Sequence, residues 1–243
     1  MGLADLHIHT IYSYDGTASV PAVLARARQV GLDVIAITDH DEIRGSLKAF
    51  DLAPSFGIEV IPGIEITTAE GDLLALFITE KIRPGLSLIE TIIKIGEIGG
   101  ICIAPHPMAR GAGMKSLSGP SILQALRHPD ASRILIGIEM YNATALDRKS
   151  NQNAQALLAE CPGVAQVGNS DAHVLQTIGL GATEFLGCTA ADLLDALWIG
   201  ATDVRRGAEL SSAQILSSWA INFVISTPAR VAAAYPPYAP IGV

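Results

Sequence analysis

Residues 31–45 read GLDVIAITDHDEIRG: a glycine and an aspartate, a run from Val34 to Thr38 in which four of five side chains are β-branched, then a polar cluster with His40 between Asp39 and Asp41. A short apolar run of this kind, bounded by Gly and Asp, reads as a buried strand. His40 therefore marks a strand end. The pattern recurs. Leu3 to Ile8 carries His7 and runs on to His9 in DLHIHT; Glu59 to Pro62 leads into Gly63 and Glu65; Ile101 to Ala104 meets His106 in APHP; Val164 to Val167 meets Asp171 and His173 in NSDAH. Five of the six histidines thus stand where apolar runs end, with acids among them.

Helical patterns fill the intervals. Val20 to Val30 is rich in Ala, Leu and Arg and stops at Gly31; further helices are predicted near Gly45 to Ser55, over Ser87 to Ile98 with Ser87 as cap, over Ser121 to Arg127, Leu146 to Glu160 and Ala190 to Gly200. Leu73 to Thr79 and Ile134 to Met140 are further strand candidates, and the glycine-rich stretch Met108 to Pro120 reads as a long loop over one end of the structure. Repeated strand–helix units imply a parallel sheet, and their number predicts an α/β barrel rather than an open sheet. In a barrel the strands point one way, so polar residues at their C-terminal ends converge on one face.

The length of 243 residues fits one such domain. We expect the barrel to occupy residues 1–209, and residues 210–243 to form a C-terminal helix and, after Pro228, an extended tail with Pro236, Pro237 and Pro240, packed on the barrel. Hydrophobic residues make up 49% and charged ones 16%, which excludes a disordered chain. The net charge of −8 and the absence of lysine or arginine runs argue against binding duplex nucleic acid. Cys102, Cys161 and Cys188 form no CxxC pair, so neither a disulfide framework nor a thiolate metal site is expected. Met1 leads directly into the first strand candidate without a basic and apolar leader, and serines and Asn222 interrupt the uncharged stretch Leu210 to Ala229. A cytoplasmic protein without a membrane span is the expectation.

Imidazole nitrogens mixed with carboxylate oxygens suit Zn²⁺, Mn²⁺ or Fe²⁺, with Mg²⁺ a further option. On a strand His7 and His9 share a face, because side chains repeat every two residues. Blander readings stand beside this one: Asn169, Ser170 and Asp171 are turn formers, Asp15 precedes Gly16, Glu65 follows Pro62 and Gly63, and Asp39 can cap a helix or orient its neighbours. His128 ends a helical segment, where a histidine serves exposed carbonyls. Trp198 and Trp219 read as packing residues on helices.

Taken together, DLHIHTIYSYDG, GLDVIAITDHDEIRG, PGIEITT, APHP, GIEMYNA and VGNSDAH make residues 3–185 resemble the polymerase and histidinol phosphatase (PHP) family of metal-dependent phosphoesterases. The resemblance implies a distorted (β/α)7 TIM-like barrel holding two to three divalent ions at the C-terminal ends of its strands. Carried over, His7, His9, Glu65 and Asp171 would hold one ion, Glu65 would bridge to a second held also by His106, and Asp15, His40 and His173 would hold a third. Many members have a further histidine where this chain has Asp72, in EGDLLALF; either Asp72 ligates the second ion or that ion is weakly held or missing, and Glu139 is a further nearby acid.

The activity expected from these residues is hydrolysis of a phosphate monoester or terminal nucleotide phosphate by metal-activated water, since a divalent ion lowers the pKa of bound water to about 7. Glu65 would set the ion spacing, Asp171 or His173 would assist proton transfer, and Arg110 and Ser13 are substrate-binding candidates, a guanidinium suiting phosphate best. The expected partner is a small phosphorylated substrate, a nucleotide or short oligonucleotide. Two alternatives are an amidohydrolase-like attack on amides or lactones and a non-catalytic PHP module.

Overall fold

Val34–Ile37 alternates its side chains between two cores, Val34 and Ala36 on one side and Ile35 and Ile37 on the other. That is the behaviour of a strand buried on both faces, and it repeats through the computed structural model, which describes residues 1–111, 114–144 and 148–234. The order is β1 (Gly2–Asp5), α1 (Val20–Gln29), β2 (Val34–Ile37), α2 (Arg44–Phe56), β3 (Glu59–Thr67), β4 (Asp72–Leu76), α3 (Leu88–Glu97), β5 (Ile101–Ala104), α4 (Gly119–Arg127), β6 (Leu135–Asn142), α5 (Arg148–Ala159), β7 (Ala165–Asn169), β8 (Gly181–Phe185), α6 (Ala190–Trp198), β9 (Thr202–Arg206) and α7 (Ser212–Ala234).

Nine strands form one sheet in the order β7-β6-β5-β4-β3-β2-β1-β8-β9. Seven of them run in one direction, as the (β/α)7 expectation requires; β4 and β8 run against their neighbours, where a wholly parallel sheet was expected. For β4 the reason is connection length. Only residues 68–71 join β3 to β4, too few for a parallel crossover, and they form a tight turn in which the Thr68 amide donates to Gly71 O at 3.0 Å. The reversal places Asp72, the first residue of β4, opposite Thr67, the last of β3.

The sheet curls until β7 approaches β1. Beyond the strands proper, His9 N donates to Ala172 O at 2.9 Å and Ala172 N to His7 O at 3.2 Å. Asn169 secures the junction: its Oδ1 accepts from Leu6 N at 2.8 Å while its Nδ2 donates to Glu139 Oε1 at 2.8 Å. The barrel is nearly closed. At the opposite end, α6 packs Leu193, Ala196 and Leu197 into the inner core with Ile61, Ile101 and Phe185. Ser87 and Glu90 cap α3 reciprocally.

Three expectations are corrected. β8 and β9 were not foreseen, because Thr183, Glu184, Asp203, Arg205 and Arg206 break up their apolar character. Trp198 is not packed but 49% exposed. And α7 continues through Pro228 to Ala234, where an extended arm was expected; the hydroxyls of Ser226 and Thr227 donate to Phe223 O at 3.3 and 2.9 Å in the turn before the proline, satisfying a carbonyl close to the missing amide. Pro236, Pro237, Pro240 and Leu146 lie outside the described residues, and no helix among the described ones is long and apolar enough to cross a membrane.

Because Asn169 serves a buried backbone amide and a buried carboxylate at once, Asn169→Ala is expected to lower unfolding stability by roughly 1–3 kcal/mol. Urea unfolding followed by circular dichroism measures this, and an unchanged midpoint would contradict the closure role.

Candidate metal centre

Backbone pairing beyond the strand ends brings the polar motifs together. His40 pairs with Glu65 as a continuation of β2 against β3, and Ile8 pairs with Ala172 as a continuation of β1 beside β7. The first contact places His40 next to Glu65; the second sets His7 and His9 beside Asp171 and His173. His106 follows β5, and Asp72 arrives from the reversed β4. The backbone is bent to do this: His106 and Asp171 both have positive φ, 27° and 52°, a region side-chain-bearing residues seldom occupy and one met at functional sites.

Glu65 is fully buried and faces four imidazoles. Its carboxylate oxygens lie 3.3 Å from His7 Nε2, 3.3 Å from His9 Nε2, 3.1 Å from His40 Nδ1 and 3.1 Å from His106 Nε2. Asp171 Oδ1 lies 3.3 Å from His7 Nε2 and 3.2 Å from His9 Nε2, and Asp15 Oδ2 lies 3.1 Å from His173 Nε2 and 3.4 Å from His40 Nε2. Burial alone would raise the Glu65 and Asp171 pKa values, but histidines hold both well below the usual carboxylate range, His40 and His7 foremost for Glu65 and His7 and His9 foremost for Asp171. His7 shows the converse: burial would lower it, yet Asp171, Glu65 and Glu139 keep it well above an ordinary imidazole. His9 is pushed down to about 4, by burial and then by the neighbouring His173. Asp72 is pushed up to about 6 by burial and by Glu65.

These residues fit divalent cations. Four sets of side chains bring ligand atoms within 4.8 Å of one another: His7, His9 and Asp171; His7, Glu65 and His106; His40, Glu65 and Asp72; and His9, Asp15, His40 and His173. Donors about 2.0–2.2 Å from a shared ion in a tetrahedral array stand about 3.3–3.6 Å apart, close to the separations here. Both ring nitrogens of His9, together with His40 Nδ1 and Asp72 Oδ1, are buried without any hydrogen bond. His9 Nε2 lies 3.3 Å from Glu65 and 3.2 Å from Asp171. A buried polar atom left this way is costly, and a cation between the groups satisfies it.

Supporting residues fix these directions. Glu139, fully buried, spends all its acceptor capacity: Oε1 takes His7 Nδ1 at 3.2 Å and Asn169 Nδ2 at 2.8 Å, while Oε2 takes the His106 amide at 2.6 Å and Asn142 Nδ2 at 3.0 Å. Asn142 Nδ2 also donates to Asp171 Oδ2 at 3.0 Å. His173 Nδ1 donates to Asp171 O at 3.0 Å, which turns Nε2 toward Asp15. Asp39 accepts from the Thr10 amide and hydroxyl at 2.6 and 2.8 Å, holding the loop that carries Asp15. It caps no helix; α2 begins after Ile43. Gly45 leaves room for that carboxylate, since a Cβ there would overlap Asp39 Oδ2.

The structure gathers all nine sequence-derived ligand candidates, with Asp72 grouped with His40 and Glu65 rather than with His106. Neither substrate candidate is among the residues lining the cavity above the cluster. Arg110 is exposed and outside the lining of the cavity above the cluster, and Ser13 is buried, donating to Asp15 Oδ1 at 2.7 Å and accepting from the His40 amide. His128 terminates α4, its Nδ1 accepting from the Asp130 and Ala131 amides. Sequence reasoning noted Glu139 without its role and missed Asn142, Tyr14 and the cavity position of Trp219. The acid in GIEMYN, one strand beside the histidine motifs, was the available clue to the first two.

The PHP domain matches residues 5–170, and the PHP-associated domain residues 148–202. The chain belongs to the PHP family. It is 41% identical over 150 residues to an uncharacterized protein of Methanocaldococcus jannaschii, covering 58% of this chain and 81% of that one. Over 65 residues it is 37% identical to the phosphoribosyl 1,2-cyclic phosphate 1,2-diphosphodiesterase of Eggerthella lenta, covering 27% of this chain and 24% of that enzyme. Among solved structures, a two-domain Bacteroides vulgatus protein containing a predicted PHP-like metal-dependent phosphoesterase superposes with a TM-score of 0.63 at 17% identity, covering 90% of this chain and 69% of that one. At that identity the likeness shows the PHP fold alone.

Since a glutamine at 139 would present an NH₂ where two donors now converge, Glu139→Gln is expected to weaken divalent metal binding roughly 10–100-fold while the fold persists. Equilibrium dialysis with metal analysis measures it, and wild-type affinity would remove Glu139 from the support of this PHP centre.

Proposed function

We propose that this PHP protein is a metal-dependent phosphoesterase that hydrolyses a phosphate monoester or terminal nucleotide phosphate of a small substrate. The observation that carries the reading is the cluster of Glu65, Asp171 and the imidazoles around them, with buried lone pairs unserved by any protein donor, on the floor of a cavity of about 360 Å³. Divalent cations held there would supply Lewis acidity toward a phosphoryl oxygen and make water a nucleophile near neutral pH.

The side chains have separate tasks. His7, His9 and Asp171 form one ligand set, and Glu65 joins it to the sets of His106 and of His40 with Asp72. Asp15 and His173 stand at the cavity wall. With Nδ1–H committed to Asp171 O, His173 presents Nε2 alone for binding a cation or holding a proton. No lysine or arginine lines the cavity among the described residues, so the cations themselves must attract the anionic substrate. The free thiols Cys102, Cys161 and Cys188 suit a reducing compartment such as the cytoplasm.

Purified protein is expected to contain divalent metal, to hydrolyse phosphomonoesters in preference to cyclic amides, to lose turnover on chelation and to regain it when Mn²⁺ or Zn²⁺ returns. His9→Ala and Asp171→Ala should each lower kcat/KM by about 10²-fold or more with an unchanged circular dichroism spectrum. Wild-type turnover in either variant, or activity indifferent to chelation, would overturn the proposal.

A further inference from the structure

The outer wall of the cavity is unlike its floor. The floor is acids and imidazoles; the rim is Tyr14, Met114, Val174, Ile215, Leu216 and Trp219, three of them from α7. Ile215 and Trp219 are four residues apart and so share one helix face, with Leu216 beside them. That face is part of an inward stripe that continues through Asn222, Phe223, Ser226 and Arg230, all less exposed than their neighbours.

The helix is tied to the loop that carries Asp15. Trp219 Nε1–H donates to Asp15 O at 2.9 Å, Arg230 donates to Tyr14 O at 2.7 Å, and Arg44 donates to Ala233 O at 3.1 Å. Phe223 packs on the Trp219 ring with centroids 4.7 Å apart, and Tyr14 stacks on His40 at 4.8 Å with planes 15° apart. The indole is thus held at a fixed place relative to Asp15, one of the cluster's acids. It is a rigid, flat, apolar surface directly above a polar floor.

Resting on the phosphoesterase reading, we propose that α7 forms the specificity wall of the site and that the substrate is the phosphate monoester of an uncharged planar alcohol, its aryl group lying against Trp219, Ile215 and Leu216. An aromatic group gains both from area removed from water and from ring contacts. A cavity of 360 Å³ has room for it, since an apolar void of about 150 Å³ holds benzene. A polynucleotide fits poorly, because its flanking phosphates need cationic partners and the rim has none among the described residues. In the reaction the oxygen of water joins phosphorus, the bond from phosphorus to the aryl oxygen breaks, and one proton from the water ends on the departing aryloxide, giving the aryl alcohol and inorganic phosphate.

The test compares ligands with one phosphoryl group and different organic parts. On Mn²⁺-loaded protein, kcat/KM is measured for phenyl phosphate, methyl phosphate and adenosine 5′-monophosphate, and calorimetry measures binding of phenylphosphonate and methylphosphonate. Phenyl should exceed methyl by roughly tenfold or more in both assays. The Ile215→Ala/Leu216→Ala variant, which removes no hydrogen bond, should lower the phenyl values several-fold more than the methyl ones. In a Trp198→Phe background Trp219 is the only tryptophan, and its emission should change with phenylphosphonate but not with methylphosphonate. Equal affinity for the two phosphonates, a double variant that lowers both alike, or a higher kcat/KM for adenosine monophosphate than for phenyl phosphate would overturn the wall. Selective phenylphosphonate binding without turnover of any ester would uphold the wall and overturn the hydrolytic reading.

Discussion

Glu65 is a fully buried carboxylate surrounded by His7, His9, His40 and His106 at 3.1–3.3 Å, and the remaining architecture of the site follows from that crowding. An isolated carboxylate is very costly to bury, and imidazoles compensate it only while they are protonated or share a cation with it. The protein has arranged too many acceptors for its donors: His9 has neither nitrogen hydrogen-bonded, and one oxygen of Asp72 has no partner. In the folded chain this imbalance is a standing demand for positive charge. It is compatible with the phosphoesterase proposal for a protein with a net charge of −8, since cations held by these groups would reverse the local field.

Holding such a cluster requires rigidity from groups that never reach the cavity. Glu139 joins His7, His106, Asn142 and Asn169, which belong to four different stretches of chain, through one carboxylate. Asn169 in turn serves the Leu6 amide at the seam between β7 and β1. The residue that closes the barrel and the residue that aims two of the histidines are therefore hydrogen-bonded to each other, so barrel closure and ligand orientation are one structural event. The positive φ angles of His106 and Asp171 are tolerated because this network fixes the backbone around them.

Much of this was legible in the chain. VIAIT followed by DHD read correctly as a strand with a polar end because β-branched runs and polar ends are local properties, and the HxH spacing of His7 and His9 has a single consequence on a strand. The reversed strands were less accessible. β4 looks like any apolar run, and its direction depends on the short turn before it; β8 and β9 carry charges that hide their period. Pro228 was misread because a proline's effect depends on whether side-chain hydroxyls answer the carbonyls beside it, as Ser226 and Thr227 do.

The sequence by itself determined the chemistry: which side chains can bind a cation, that they stand at strand ends, and that the strands and helices alternate. These facts depend on residue type and near-neighbour spacing, which a linear chain carries in full. Only the tertiary structure decided the grouping. Asp72 stands with His40 and Glu65 because β4 is reversed, Arg110 lies outside the cavity lining, Ser13 is engaged with Asp15 and the His40 amide, and Trp219, more than 200 residues from Asp15, becomes part of the rim. Contacts of that kind are set by how elements pack across the whole chain, and no local pattern records them.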